Sequence, residues 1–76
     1  MKVTIVLTAW FKRYTSGKSE IKIEVEHDVT AIEAVTSCGI PLEEVGFITI
    51  NNKKVGNDQI LEDGDIVKVY TFILGG

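Results

Sequence analysis

Glu62-Asp63-Gly64-Asp65-Ile66-Val67-Lys68-Val69-Tyr70-Thr71-Phe72-Ile73-Leu74-Gly75-Gly76 closes the chain, and its reading decides the fold. Asp63-Gly64-Asp65 has the composition of a tight turn. The apolar, β-favouring run behind it predicts a strand from Ile66 to about Phe72. Val67 and Val69 are expected to face the interior, and Lys68 and Tyr70 the opposite side. Two glycines follow, Gly75 and Gly76. Read as a working end, they present an α-carboxylate on a residue with no side chain. From Ile73 onward, four residues can extend roughly 13 Å beyond a sheet. A narrow channel admits such a bare backbone where β-carbons would jam. The alternative is a frayed tail, but Phe72, Ile73 and Leu74 are apolar and suit docking contacts.

The front of the chain mirrors its end. Val3, Ile5, Leu7 and Ala9 recur at every second position, which predicts a first strand from Lys2 to about Phe11. The small and polar residues of Arg13-Tyr14-Thr15-Ser16-Gly17-Lys18 predict a loop. Ile21, Ile23 and Val25 then alternate with charged residues, so a second strand returns as a hairpin with one apolar face. Thr30-Ala31-Ile32-Glu33 has the form of a capping box and predicts a helix start. Ala31, Ala34, Val35 and Cys38 form its apolar stripe, with Ile32 beside it, and Gly39 is placed to end it. Pro41 opens an acidic turn through Glu44. Gly46 to Ile50 predicts a third strand, turning at Asn51-Asn52 into Lys53-Lys54-Val55. Ile60 and Leu61 are expected to anchor the approach to the last strand. The two longest apolar strands are the first and the last, which suits them to the middle of one sheet with the helix packed across it, an α+β arrangement.

Composition excludes several classes of function. With 76 residues there is room for one domain, taken here as residues 1–76 with a flexible tail over 73–76. Cys38 is the only cysteine, and no signal-like segment opens the chain, which points to a reducing, cytoplasmic setting. No run is long enough to span a bilayer. Eleven acidic residues against eight basic ones give a net charge of -3 and disfavour a nucleic-acid partner. Glu43, Glu44, Glu62, Asp63 and Asp65 gather late, whereas Lys12, Arg13 and Lys18 lie early. This asymmetry reads as a solvated surface, or alternatively as a means of orienting a basic partner. His27 is the only histidine and reads as a surface loop residue. One histidine and one distant cysteine make no zinc site. Cys38 reads as a small core residue. Gly64 lies between acids that repel phosphate. No group in the chain is placed to catalyse a reaction alone.

The helix start at Thr30, Gly39-Ile40-Pro41, Ile48-Thr49-Ile50-Asn51-Asn52, Leu61-Glu62-Asp63-Gly64-Asp65-Ile66-Val67 and the Gly75-Gly76 end, taken in that order, resemble the ubiquitin-like sulfur carriers. These include the small subunit of molybdopterin synthase and the sulfur carrier of thiamine biosynthesis. The resemblance covers essentially the whole chain and implies a β-grasp fold, a mixed sheet of four to five strands crossed by one main helix, with the first and last strands parallel. It also implies a carrier and not an enzyme. A ubiquitin-activating-like adenylyltransferase would use ATP to adenylate Gly76, and a persulfide sulfur donor would convert it to a thiocarboxylate. A large synthase subunit or a thiazole synthase would then take the sulfur, and the carrier itself would hold no cofactor. Gly75, Leu74, Ile73, Phe72 and Tyr70 would contact these partners. The long connection after the first strand is similar to the molybdopterin (or tungstopterin) branch, although Phe72-Ile73-Leu74 lacks the proline usual there. The thiamine branch, a protein modifier and a non-catalytic interaction module stay open as alternatives.

Overall fold

A computed structural model describes residues 1–72; Ile73, Leu74, Gly75 and Gly76, and with them the expected tail, lie outside the described residues. Five strands form one mixed sheet: β1 (Lys2–Leu7), β2 (Glu20–Glu24), β3 (Val45–Ile50), β4 (Lys53–Val55) and β5 (Ile66–Thr71). Their order across the sheet is β2-β1-β5-β3-β4. The first and last strands do pair in parallel, Ile5 opposite Val67 and Leu7 opposite Val69, and β5 is the middle strand. A parallel pair needs a crossover, and α1 (Ala31–Ser37) belongs to it. The sheet and helix are those of a β-grasp, ubiquitin-like fold.

Sequence determines α1 locally. Thr30 accepts a hydrogen bond from the Glu33 N–H, while the Glu33 carboxylate accepts from the Thr30 N–H at 2.9 Å, which completes the capping box. Ala31, Ala34 and Val35 are buried against the sheet, and Gly39 takes a φ of 89° where the helix ends. The sheet answers with Val3, Ile5, Leu7, Ile48, Val67 and Val69, all buried. Lys68 and Tyr70 lie on the other face, as their parity predicted. Asn51 and Asn52 both adopt positive φ, 51° and 72°, and turn β3 into β4.

The largest departure follows Leu7. The alternation predicted a strand continuing to Phe11, but the chain instead enters a 3₁₀ helix, Ala9–Tyr14. Pairing explains the change. β2 begins at Glu20, opposite Val6, so backbone beyond Leu7 has no β2 neighbour to bond. Tight turns satisfy those groups instead: Phe11 N–H donates to the Thr8 carbonyl at 3.0 Å, and Thr15 N–H to that of Lys12 at 3.1 Å. Phe11 thereby reaches the core from beyond the end of the sheet and is fully buried. Arg13 and Tyr14, expected in a loop, belong to the same turn. Smaller corrections follow from burial and pairing. β2 stops at Glu24, although Val25 still donates to the Met1 carbonyl at 2.8 Å. Of the two expected anchors, Leu61 is buried, whereas Ile60 is 45% exposed and spends its backbone on a bridge to Thr30.

Candidate functional site

Tyr70 sits near the C-terminal end of the middle strand, on the sheet face that α1 leaves uncovered. The antiparallel register places Phe47 of β3 opposite it. Their rings stack with centroids 4.4 Å apart and planes 9° from parallel, a favourable cross-strand pair. Each ring has a lysine over it: Lys54 Nζ lies 5.3 Å from the Phe47 centroid, and Lys68 Nζ 5.3 Å from that of Tyr70. Phe72 follows at 62% exposure, and Ile66, at the other end of β5, is 51% exposed. The result is an apolar strip flanked by cations on a chain of net negative charge. Such a face suits a partner with an apolar surface and an acidic rim.

Of the expected contact residues, Tyr70 and Phe72 are described, and they lie together at the point where β5 ends. Phe47 was missed, since in sequence it is one apolar residue of a strand. Only the β3–β5 register brings it against Tyr70.

A second group lies at the same end of the sheet. The 3₁₀ helix after β1 and a short one before β3, Leu42–Glu44, stand on either side of the end of β5. Glu44 ties them together: one carboxylate oxygen accepts from Trp10 Nε1 and the other from the Tyr14 hydroxyl, each at 2.6 Å. The Arg13 guanidinium lies 3.6 Å from the Trp10 ring centroid. The hydrogen bond from Tyr14, then that from Trp10, holds the Glu44 carboxyl below the ordinary carboxylate range. The bond to Glu44 pushes the Tyr14 phenol up.

Glu43, Glu62 and Asp63 are exposed, as a solvated surface requires, but Glu44 and Asp65 depart from that reading. Glu44 braces two turns, Asp63 accepts from the Lys2 N–H at 2.8 Å, and Asp65 is buried. Asp65 accepts from Asn51 Nδ2 at 3.0 Å and from the Glu62 N–H at 2.8 Å, while Asn51 Oδ1 accepts from the Ile66 N–H. Asn51 therefore locks the β3–β4 turn to the start of β5, a role that its turn propensity alone does not reveal.

The remaining candidates are dispersed. His27 is exposed in the loop before α1. Cys38 is half-buried, and burial pushes its thiol up, away from the nucleophilic thiolate. A cleft of about 420 Å³ lies beside α1, with Glu24, Glu26, Asp28 and Glu33 in its lining. Its carboxylates oppose phosphate binding, and Glu24, opposite Lys2, puts it at the end of the sheet remote from Phe72. Among the described residues no group of three or more His, Cys, Asp or Glu side chains could hold a metal ion. No described helix is long and apolar enough to cross a membrane.

Comparison with known proteins gives three results. The model of the Mut7-C ubiquitin family matches residues 7–73. No curated protein matches the chain. Solved structures match over nearly the full length. The putative molybdopterin converting factor, subunit 1, from Pyrococcus furiosus is 25% identical with a TM-score of 0.77, covering 96% of this chain and 99% of that one. The small archaeal modifier protein 1 of Haloferax volcanii is 13% identical with a TM-score of 0.76, covering 95% and 98%. A chain of the Amycolatopsis orientalis BexX/CysO complex is 21% identical with a TM-score of 0.66, covering 97% and 99%.

Proposed function

The chain belongs to the Mut7-C ubiquitin family, and on that footing we propose that it is a sulfur carrier whose working end is the carboxylate of Gly76. Its fold is the one shared by ubiquitin-like sulfur carriers and modifiers. The observation that carries the proposal is the path of β5. The middle strand of the sheet ends beside the Phe47–Tyr70 stack, passes through exposed Phe72, and is followed in sequence by Ile73-Leu74-Gly75-Gly76. A docked partner would therefore hold the strip while the last residues enter its active site.

The chemistry follows from the carboxylate. Its delocalised charge makes it a poor electrophile, and oxide is a poor leaving group. An adenylating enzyme joins the Gly76 carboxylate to the α-phosphate of ATP and releases pyrophosphate. The terminal sulfur of a persulfide then attacks the acyl carbon, AMP leaves with the bonding electron pair, and an acyl disulfide remains. Reduction of that disulfide by a thiol leaves the thiocarboxylate on Gly76, whose sulfur is the nucleophile passed onward. The carrier supplies no catalytic group; it supplies the strip that docks and an end narrow enough to thread, with Gly75 and Gly76 innermost and Leu74, Ile73 and Phe72 as the apolar approach.

We favour a molybdopterin (or tungstopterin) acceptor, because the Pyrococcus furiosus protein carries that description and the connection between β1 and β2 is long, with its own 3₁₀ helix. A thiazole synthase is the alternative acceptor. The test is intact mass after incubation with ATP, a persulfide donor and the host's activating enzyme. The expected result is the mass gain of sulfur for oxygen, localised to Gly76. An unchanged mass under those conditions refutes the carrier and leaves the interaction module, while heavier adducts with other proteins in host extract would mark a modifier.

A further inference from the structure

β3 carries one residue more than β5 where Val45 opposes Thr71 and Phe47 opposes Tyr70, and the extra residue is Gly46. Such a bulge bends the strand that holds it. Gly46 is not among the glycines with positive φ, so conformational freedom does not explain a glycine there. Space does. A β-carbon built on Gly46 would lie 2.7 Å from the Phe72 nitrogen, 2.9 Å from the Thr71 carbonyl carbon and 3.2 Å from the Tyr70 oxygen. All three are backbone atoms. At Gly56, by contrast, the close neighbour is an Asp58 side-chain oxygen, which can swing aside. Ordinary contact begins at 3.4 Å, so a methyl group at position 46 requires a backbone shift of about 0.7 Å. Both strands are pinned just inside this point, β3 by Ile48 and β5 by Val69, each fully buried. On the β3 side Val45 also packs against the core, so the shift falls mainly on Thr71 and Phe72, beyond the last buried residue of β5.

We infer that Gly46 is a positioning residue for the C-terminus: its missing side chain lets β3 lie against Tyr70–Phe72 and so sets the path of residues 70–72, which Ile73 to Gly76 follow in sequence. This rests on the carrier reading of Gly76. The test is Gly46→Ala in the full chain, read in two ways. Amide correlation spectra should show displaced resonances at Tyr70, Thr71 and Phe72 with those of β1 and β2 in place. In pyrophosphate release with the activating enzyme, kcat should fall about ten- to a hundredfold, as expected for a sub-ångström to ångström misplacement of a reacting end. KM for the carrier should rise by less than kcat falls, because the Phe47–Tyr70 stack keeps its place beside the buried Ile48 and Val69. A purely structural role would lower the melting temperature and leave kcat of the folded protein at the wild-type value, and that result overturns the inference. Unmoved amides at residues 70–72 overturn it as well. Should Gly46→Ala fail to fold, deletion of Gly46 restores a regular ladder and is expected to lower kcat in the same way; wild-type kcat in the deletion refutes the inference. A wild-type chain that is never adenylated refutes the carrier reading instead, and the amide displacement still decides whether Gly46 sets the path of residues 70–72.

Discussion

Replacing Phe11 by alanine tests the structural feature that departs furthest from sequence periodicity. Phe11 is fully buried although it lies four residues past the end of β1. Truncation removes a whole ring from a closed core, and such changes cost about 3–5 kcal/mol in transfer and cavity terms together. A 76-residue domain has a total stability of about 4–11 kcal/mol at the usual density per residue. The variant should therefore lose between about a quarter and all of its stability. Urea unfolding followed by far-UV circular dichroism reads this directly. With an m-value of about 1–3 kcal/mol/M, the midpoint should fall by at least about 1 M. Melting should fall by at least about 12 °C, taking the smallest loss and about 4 °C per kcal/mol. Phe11→Leu, which keeps most of the volume, should recover most of the loss. Ala9→Ser, at an exposed position of the same turn, should stay within about 0.5 kcal/mol of wild type. A loss below about 1 kcal/mol in Phe11→Ala, the range of a surface change, would mean that the ring is not in the core. The 3₁₀ description of residues 9–14 would then fail, and with it the Trp10–Glu44 brace that the turn presents.

Other perturbations separate docking, threading and folding. The double variant Phe47→Ala/Tyr70→Ala should raise KM for the carrier in adenylation by about 30-fold, the effect of losing one aromatic anchor of about 2 kcal/mol, with kcat retained; an unchanged KM would place docking elsewhere. Removing Gly76 should leave the urea midpoint unchanged and abolish adenylation, so a deletion still adenylated at its new end, or one that unfolds, contradicts the proposed role. Asn51→Ala leaves the buried Asp65 and the Ile66 N–H each short of a partner and should cost about 1–3 kcal/mol in unfolding free energy; a neutral result would reduce Asn51 to a turn residue. The pH dependence of stability follows from Glu44, whose folded pKa is depressed. Below its ordinary value of 4.5 the unfolded chain binds the proton first, so its contribution is complete above that value and is lost as pH falls through the folded pKa. Glu44→Gln should flatten the acid limb of a plot of urea midpoint against pH, and an unchanged limb would show that the brace is not formed in solution.

Much of this molecule is written in short-range patterns. The capping box at Thr30, the left-handed stop at Gly39, the Asn51-Asn52 turn and the alternation in β1, β2 and β5 each depend on residues within a few positions of one another. The chain has no other way to satisfy those local constraints, which is why they are legible without a partner strand in view. The parity of Val67 and Val69 against Lys68 and Tyr70 is of the same kind, since a strand of period two leaves only two choices and the lysine decides between them.

What sequence could not determine was the register of strands and the meeting of turns that lie far apart in the chain. Ala9 and Phe11 continue the alternation of β1, but β1 stops pairing with Val6 opposite Glu20 of β2 and Leu7 opposite Val69 of β5, and the stretch beyond forms a 3₁₀ helix. Phe47 meets Tyr70 through the register of β3 against β5, 23 positions apart in sequence. Glu44 becomes a brace because the turns after β1 and before β3 close on the same end of the sheet. Asn51 gains a second role at Asp65 in the same way. The chain alone specified the strands, the helix and the diglycine on which the proposed chemistry turns. Tertiary structure decided the face and the path that would present that end, because long-range backbone pairing sets the distances over which side chains act.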